Sequence, residues 1–360
     1  MNIFSFNYIE QYQIPRVVKV WLLIGLIMIT VQVVVGGITR LTGSGLSITK
    51  WEIVTGTLPP LNAKQWDEAF DLYKATPQYL EINQGMSMSD FKFIYFWEYI
   101  HRLWARGMGF VFAIPFFIFL FSGMLSRTLI KDLGIVILLA ATVASFGWIM
   151  VASGLVDRPW VSAYKLTLHL SLAFILYSYL LWTTFKVFQP RPSLIHNPML
   201  KKLGKVMLVV LGIQIFLGGI MSGMKAGVIY PTWPDMHGVA VPKLVFNSEE
   251  WNVDNLMNYE SNLFAPALIQ FLHRTSAYLL TAIVLWFFVK GIRSGMGSLF
   301  NISLYLLVSM LVIQVLLGIF TLINCQGTIP VGLGVFHQAG ALFLLTITLF
   351  VYYQLRIAEK

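Results

Sequence analysis

Eight runs of apolar residues punctuate this chain, at roughly 17–37, 99–122, 133–153, 164–185, 204–222, 267–289, 301–323 and 333–355. A helix needs about 20 such residues to cross the hydrocarbon of a bilayer, so each run is predicted to be a transmembrane helix. A polar stretch of about 55 residues separates the first two runs and one of about 40 separates the fifth and sixth, whereas the other connections are short, as between antiparallel neighbours. No basic segment followed by a short apolar core precedes residue 17, so the first run is read as a span and not as a cleavable leader.

Composition agrees. The chain is 57% hydrophobic and 11% charged, against about 25% charged residues in a soluble domain. The net charge of +9 points to membrane topology and not to nucleic acid, because the basic residues flank the apolar runs instead of forming a patch with stacking aromatics. Arg16, Lys19, Arg127, Lys131, Lys186, Arg191, Lys201, Lys202, Lys205, Lys290 and Arg293 lie at the N-terminus and in the connections after runs two, four and six. Acids are nearly absent there, Glu10 and Asp132 excepted, while Asp67, Glu68, Asp71, Glu81, Glu249, Glu250 and Asp254 sit in the two long loops. The positive-inside rule then places both termini in the cytoplasm and both long loops outside. Trp66, Trp97, Trp160, Trp233 and Trp251, in or beside the outer connections, fit an interfacial aromatic belt. A single cysteine, Cys325, excludes an intramolecular disulfide or a thiolate cluster, and its place before the last run reads as incidental.

The two halves repeat each other. Run one closes with Gln32, Gly36 and Gly37, and run five closes with Gln214, Gly218 and Gly219 at identical spacing. His101-Arg102 returns as His273-Arg274, Gly147 as Gly318, and His169 as His337. The expected fold is an all-α integral membrane protein of eight transmembrane helices, in two tandem four-helix bundles. Residues 1–190 form one half, with a long outer loop at 38–98, and residues 191–360 form the other. An even number of helices per unit gives both copies the same orientation, so the repeat is parallel, about a pseudo-two-fold axis along the membrane normal.

Four histidines at matching places, His101, His169, His273 and His337, are expected within the first turns of helices two, four, six and eight, which all start on the outer side, and therefore at similar depth. A single histidine at a helix end commonly bonds a neighbouring carbonyl. Four repeat-equivalent imidazoles near hydrocarbon mark function. Two facing helices presenting one imidazole each can hold a planar macrocycle by axial ligation. Zinc would want three or four ligands per site. A proton relay, another metal or purely structural histidines are the alternatives. Arg102, Arg106 and Arg274 are placed to meet carboxylates of such a ligand, or to snorkel to the interface. His196, in a cytoplasmic connection, and His237, in the second outer loop, stand outside the pattern and are not read as ligands.

One asymmetry distinguishes the halves. Glu98 precedes His101 by one helical turn and shares its face, whereas the second half has Gln270 there. A carboxylate can exchange a proton beside a substrate and an amide cannot. The first half is thus expected to be the reaction site and the second a relay or cofactor site. The simpler alternative is that Glu98 bonds Arg102 or Arg106.

At these residues the chain resembles the haem A synthase family. The resemblance is carried by Gly36-Gly-Ile-Thr-Arg-Leu-Thr-Gly-Ser-Gly-Leu-Ser47, Trp51 with Gly56-Thr-Leu-Pro-Pro-Leu61, Phe91 to Trp104 around Glu98-Tyr-Ile-His-Arg, Gly147 to Leu155, His273-Arg274, Gln314 to Leu322 and His337-Gln338. It covers nearly the whole chain in order. It implies an oxidoreductase that converts a methyl group of haem O to the formyl group of haem A by successive hydroxylations, for terminal oxidases. The implied location is the bacterial plasma membrane, or the mitochondrial inner membrane in a eukaryote. It further implies that His273 and His337 hold a haem b cofactor, with Arg102 and Arg274 as further cofactor-binding residues, that His101 and His169 take the substrate haem, and that Glu98 is the family's essential acid. The implied partners are haem O, the farnesyltransferase that makes it, an electron acceptor and the bilayer, with no nucleic acid. The first loop lacks the cysteine pair of one branch, so the chain resembles the cysteine-free branch. Pro231 and Asp235 depart from the expected second-loop pattern. The rival reading is a non-catalytic di-haem cytochrome b electron-transfer subunit. A transporter with repeated halves is disfavoured because no charge falls at the middle of a span.

Overall fold

A computed structural model describes residues 14–49, 58–154, 159–189 and 197–356. Glu10, Trp51, Gly56, Thr57, Leu155, Arg191 and His196 lie outside these described residues. The eight apolar runs become eight long helices: α1 (Arg16–Leu41), α4 (Met88–Phe121), α5 (Arg127–Gly154), α6 (Ala163–Phe188), α7 (Pro198–Gly223), α10 (Phe264–Ile292), α11 (Ser298–Ile323) and α12 (Val331–Gln354). All eight are long and apolar enough to cross a membrane. The first long loop folds into α2 (Ala63–Lys74) and α3 (Pro77–Glu81), the second into α8 (Ala226–Ile229), α9 (Val253–Met257) and two 3-10 turns. No strand forms among the described residues.

Helices α1, α6, α7 and α12 pack on one another at the centre, with α4 laid on α1, α5 on α6, α10 on α7 and α11 on α12. The division is visible in burial: 39% of the apolar window of α6 is buried inside the protein, but only 6% of that of α5. A flanking helix can expose apolar side chains at this level because lipid solvates them while its backbone hydrogen bonds stay internal.

Small residues let the central helices approach, as van der Waals packing in lipid requires. A β-carbon on Gly223 would lie 2.6 Å from Cα of Ala163, and one on Gly37 would lie 3.2 Å from the Gln338 amide. The Gln338 Nε2 donates to the Val33 carbonyl (2.7 Å), tying α12 to α1. Arg40, near the end of α1, donates to the Ser222 and Gly223 carbonyls at the end of α7 (3.1 and 3.3 Å). Those carbonyls have no partner within their own helix, and a cation there also complements the helix dipole. Asp132, an acid among the basic connections, is ion-paired with Lys186 and accepts from the Tyr179 hydroxyl.

One expectation needs correction. His101 and His273 are not in the first turns of their helices. The helix carrying His101 starts at Met88, not near 99, so His101 lies roughly three and a half turns inside it, and His273 lies roughly two and a half turns inside α10. The polar residues Ser89, Asp90 and Lys92 look like loop in sequence. They are helical because Ser87 caps the helix, accepting from the Asp90 amide (3.2 Å), and because Phe91 and Ile94 are buried against Phe70 and Tyr73 of the loop helix α2. The first long loop is thus a packed cover and not a tether.

Replacing Gly223 with Val should force α6 and α7 apart and destabilise the protein by about 1–3 kcal/mol. A lowered midpoint in thermal unfolding of detergent-solubilised protein would register it, and an unchanged midpoint would refute the close contact.

Candidate functional site

Each of the four histidines lies on a glycine of a neighbouring helix. A β-carbon would come within 3.1 Å of the His101 ring at Gly36, 3.0 Å of His169 at Gly147, 3.2 Å of His273 at Gly218 and 2.9 Å of His337 at Gly318. Anything larger than glycine would displace the imidazole or spread the helices. The residue one turn before each glycine orients the histidine. Gln314 Nε2 donates to Nδ1 of His337 (3.2 Å) and to its carbonyl (2.9 Å). Gln214 Nε2 donates to Nε2 of His273 (3.2 Å), and Gln32 Nε2 to the His101 carbonyl (3.2 Å). On α5 the equivalent position is Val143, whose carbonyl lies 3.1 Å from Nδ1 of His169. At His169 the ring nitrogen faces an acceptor, which is the arrangement that leaves the other nitrogen bare for a ligand, whereas a ring nitrogen that accepts from Gln214 or Gln314 puts the proton of a neutral imidazole on the opposite nitrogen.

All four histidines line one internal cavity of about 1360 Å³. That exceeds the roughly 300–1,000 Å³ of an ordinary small-molecule pocket. Its walls are mostly Gly, Ala, Val, Leu and Ile side chains, and Arg40, Glu98, Arg102, Arg106 and Arg274 line it too. His101 and His169 reach the cavity from α4 and α6, and His273 and His337 from α10 and α12. Nδ1 of His273 is buried without a hydrogen-bond partner, a cost for a buried polar group. Among the described residues no three His, Cys, Asp or Glu side chains converge as a metal cage would need. One large, mostly apolar cavity lined by four imidazoles fits a flat metallated macrocycle better than a bare ion.

The asymmetric position is occupied on both sides by a loop clamp. Glu98 is 2% exposed. Its carboxylate accepts from Ser47 Oγ (2.7 Å) and the Ile48 amide (2.8 Å) and is ion-paired with Arg102, which also donates to the Ile48 carbonyl (3.2 Å). In the second half, Gln270 Nε2 donates to the Tyr230 carbonyl (2.8 Å). Arg274 donates to the carbonyls of Thr232 and Asp235 (both 2.7 Å), Tyr230 (3.1 Å) and Pro234 (3.4 Å). Both arginines thus hold loops while lining the cavity.

The second loop does fold back over its site: Trp233 lines the cavity, while His237 is exposed beside the Tyr230 ring, 5.3 Å away, and is not among the lining residues. The Asp235 carboxyl is held below its usual range by the Thr232 hydroxyl first, then by the Gly238 amide, with smaller help from Arg274. Cys325 is buried, its thiol donating to the Thr321 carbonyl (3.3 Å), and burial pushes its pKa up.

Gln214, Gln314 and Arg40 were not singled out from sequence as site residues. The signal for the first two was present. Gln32–Gly36, Gln214–Gly218 and Gln314–Gly318 share one spacing, a glutamine one turn before each histidine-bearing glycine.

The fold and site define a polytopic helical membrane protein with two histidine pairs in one apolar cavity. A model of the COX15-CtaA family, described as cytochrome oxidase assembly protein, matches residues 19–349. The "Heme A synthase" of Nitrosospira multiformis is 39% identical over 350 residues, 96% of this chain and 96% of the relative. Those of Flavobacterium johnsoniae and Bradyrhizobium diazoefficiens are each 40% identical, over 91% and 92% of this chain and 95% and 89% of theirs. The chain belongs to the COX15-CtaA family.

Replacing Arg274 with Ala should loosen the segment 230–235 from α10, since the carbonyls of Thr232, Pro234 and Asp235 lose its bonds and Tyr230 is left with Gln270 alone. Faster amide hydrogen exchange confined to that loop is the expected result, and unchanged exchange would contradict the clamp.

Proposed function

We propose that this protein is a haem A synthase, an oxidoreductase of haem A biosynthesis that oxidises a methyl group of haem O to a formyl group in two successive steps. The observation that carries this reading is one apolar cavity lined by four histidines, each set against a glycine, with the carboxylate of Glu98 in the first half where the second half has Gln270. The names of its relatives and its family membership support it. In this reading His101 and His169 flank the substrate haem, and His273 and His337 hold haem b. Haem b, when bound, supplies one-electron transfer.

What the chain itself contributes follows from the geometry. The glycines let α1 and α5 close on the substrate's imidazole partners, and the apolar walls exclude water from the reacting methyl. Gln214 and Gln314 fix the rings of the second pair. Glu98 is already engaged by three donors, Ser47, Ile48 and Arg102. That favours a fixed negative charge, stabilising cationic character at the methyl carbon, over a side chain that swings to shuttle a proton. The same carboxylate pins Ser47 and Ile48 of the first loop at the site. The basic residues at the other ends of the helices put both termini in the cytoplasm or matrix and the substrate mouth on the outer side. The substrate is haem O, received from the farnesyltransferase that makes it, and an electron acceptor must complete the cycle. The di-haem electron-carrier reading needs the four histidines alone and leaves the Glu98–Gln270 difference without a purpose.

The test is extraction and chromatography of non-covalent haems from membranes of a haem-O-making host that expresses the chain. Haem A should accumulate with the wild-type protein, and haem b alone would favour the electron carrier. Glu98→Gln should lower haem A formation by about two orders of magnitude, the size expected for one preorganised electrostatic group, while leaving the second-site haem in place. Substantial haem A from that variant would remove Glu98 from the chemistry. His273→Ala and His337→Ala should lose resident haem b, whereas His101→Ala and His169→Ala should retain it and lose turnover. The opposite pattern would reverse the assignment of the two halves.

A further inference from the structure

The two halves differ in how their flanking helices meet. In the second half α10 packs along α11, while in the first half α4 and α5 make no comparable contact after their short connection. The side chains explain the difference. Leu280, Val284 and Leu311 of α10 and α11 are buried in the core. Their repeat counterparts are Met108, Phe112 and Ala140, of which Ala140 is exposed. Near the cytoplasmic-side ends, Phe287 of α10 meets Phe300 of α11 edge to face (6.4 Å between centroids), and the counterpart of Phe287 is Pro115.

The consequence is an opening in the wall of the cavity. Gly109 of α4 and Ala140, Ala144 and Ser145 of α5 line the cavity that contains His101 and His169 and are at the same time exposed on the outside of the protein. A β-carbon on Gly109 would meet no atom within 4 Å. In the second half the cavity-lining residues of α11, Leu311, Gln314, Val315, Gly318 and Ile319 among them, are buried or half-buried. Both flanking helices stand at membrane depth, so this slot faces acyl chains and not water.

We propose that the gap between α4 and α5 is the lateral portal and resting place for the isoprenoid tail of the substrate haem. This rests on the reading of the first half as the haem O site. Of the two haems in that reading, only the substrate carries a long apolar tail, and the half that receives it is the one whose flanking helices form no seam. A farnesyl chain in the slot would stay in a hydrocarbon environment while the macrocycle slides between His101 and His169, avoiding the cost of drawing it through water or against the polar outer loop. The closed seam of α10 and α11 suits a tail-less haem that is inserted once and retained.

The experiment is a spectroscopic titration of nanodisc-embedded protein, its second site already filled, with haem O and with tail-less haem b. The wild-type protein should take up both at the first site. The double variant Ala140→Leu/Ala144→Leu, which gives α5 bulk like that of α11, should weaken haem O binding about tenfold or more, the equivalent of roughly 1.4 kcal/mol, and leave the tail-less haem within about threefold of wild type. Gly109→Leu, placed where an added β-carbon meets no atom within 4 Å, should act in the same direction. The retained spectrum of the second-site haem reports on folding in each variant. Unchanged haem O affinity in the variants would overturn the portal, as would an equal loss for both haems, which would place these residues against the macrocycle. No haem uptake at the first site of the wild-type protein would overturn the haem O reading itself.

Discussion

The contact between an imidazole and a bare glycine on the next helix is the constraint on which the rest of the molecule depends. It occurs four times, at Gly36, Gly147, Gly218 and Gly318, and it sets how far apart the helix pairs α1–α4, α5–α6, α7–α10 and α11–α12 can stand. In lipid no hydrophobic force drives helices together, so packing and hydrogen bonding must do it. The buried glutamines supply the hydrogen bonds at the same places where glycine supplies the packing. The glycine–histidine contacts therefore shape the binding slots and hold the bundle together at once.

The loop clamps show how a duplicated scaffold diverges with little disturbance. Glu98 and Gln270 occupy one position, and each grips the loop that follows the preceding central helix. Glu98 accepts from Ser47 and Ile48 while Gln270 donates to Tyr230, so the position holds its loop in both halves with opposite hydrogen-bond roles and a different charge. The glutamine slot shows the same economy: Gln314 holds His337 through its side chain, whereas Val143 holds His169 through its backbone. A repeat built on backbone and amide contacts can tolerate chemical specialisation of one copy.

Much of this was legible in the sequence, and particular residues show where legibility ended. The eight spans were readable because each apolar run matches the membrane thickness, and the histidine pairs because the duplication places them in register. The start of α4 was not, because Ser89, Asp90 and Lys92 look like loop until Phe91 and Ile94 are seen buried under α2. The pairing of Glu98 with Arg102 was open to the sequence as one alternative, but the fold-back that brings Ser47 and Ile48 to the same carboxylate depends on a turn with no periodic signal. The split between α4 and α5 was written in Ala140 and Ala144 opposite Leu311 and Val315. It had no meaning until the helices were placed.

Where α1 crosses α12, Gln338 follows His337 in the chain and presses on Gly37, while Gly36, next to Gly37, touches His101. The two imidazole sites are thus joined by a short line of covalent bonds and van der Waals contacts with no lipid between them. The two sites therefore share a wall, and a change in how closely α1 meets α12 would be felt on both sides of it.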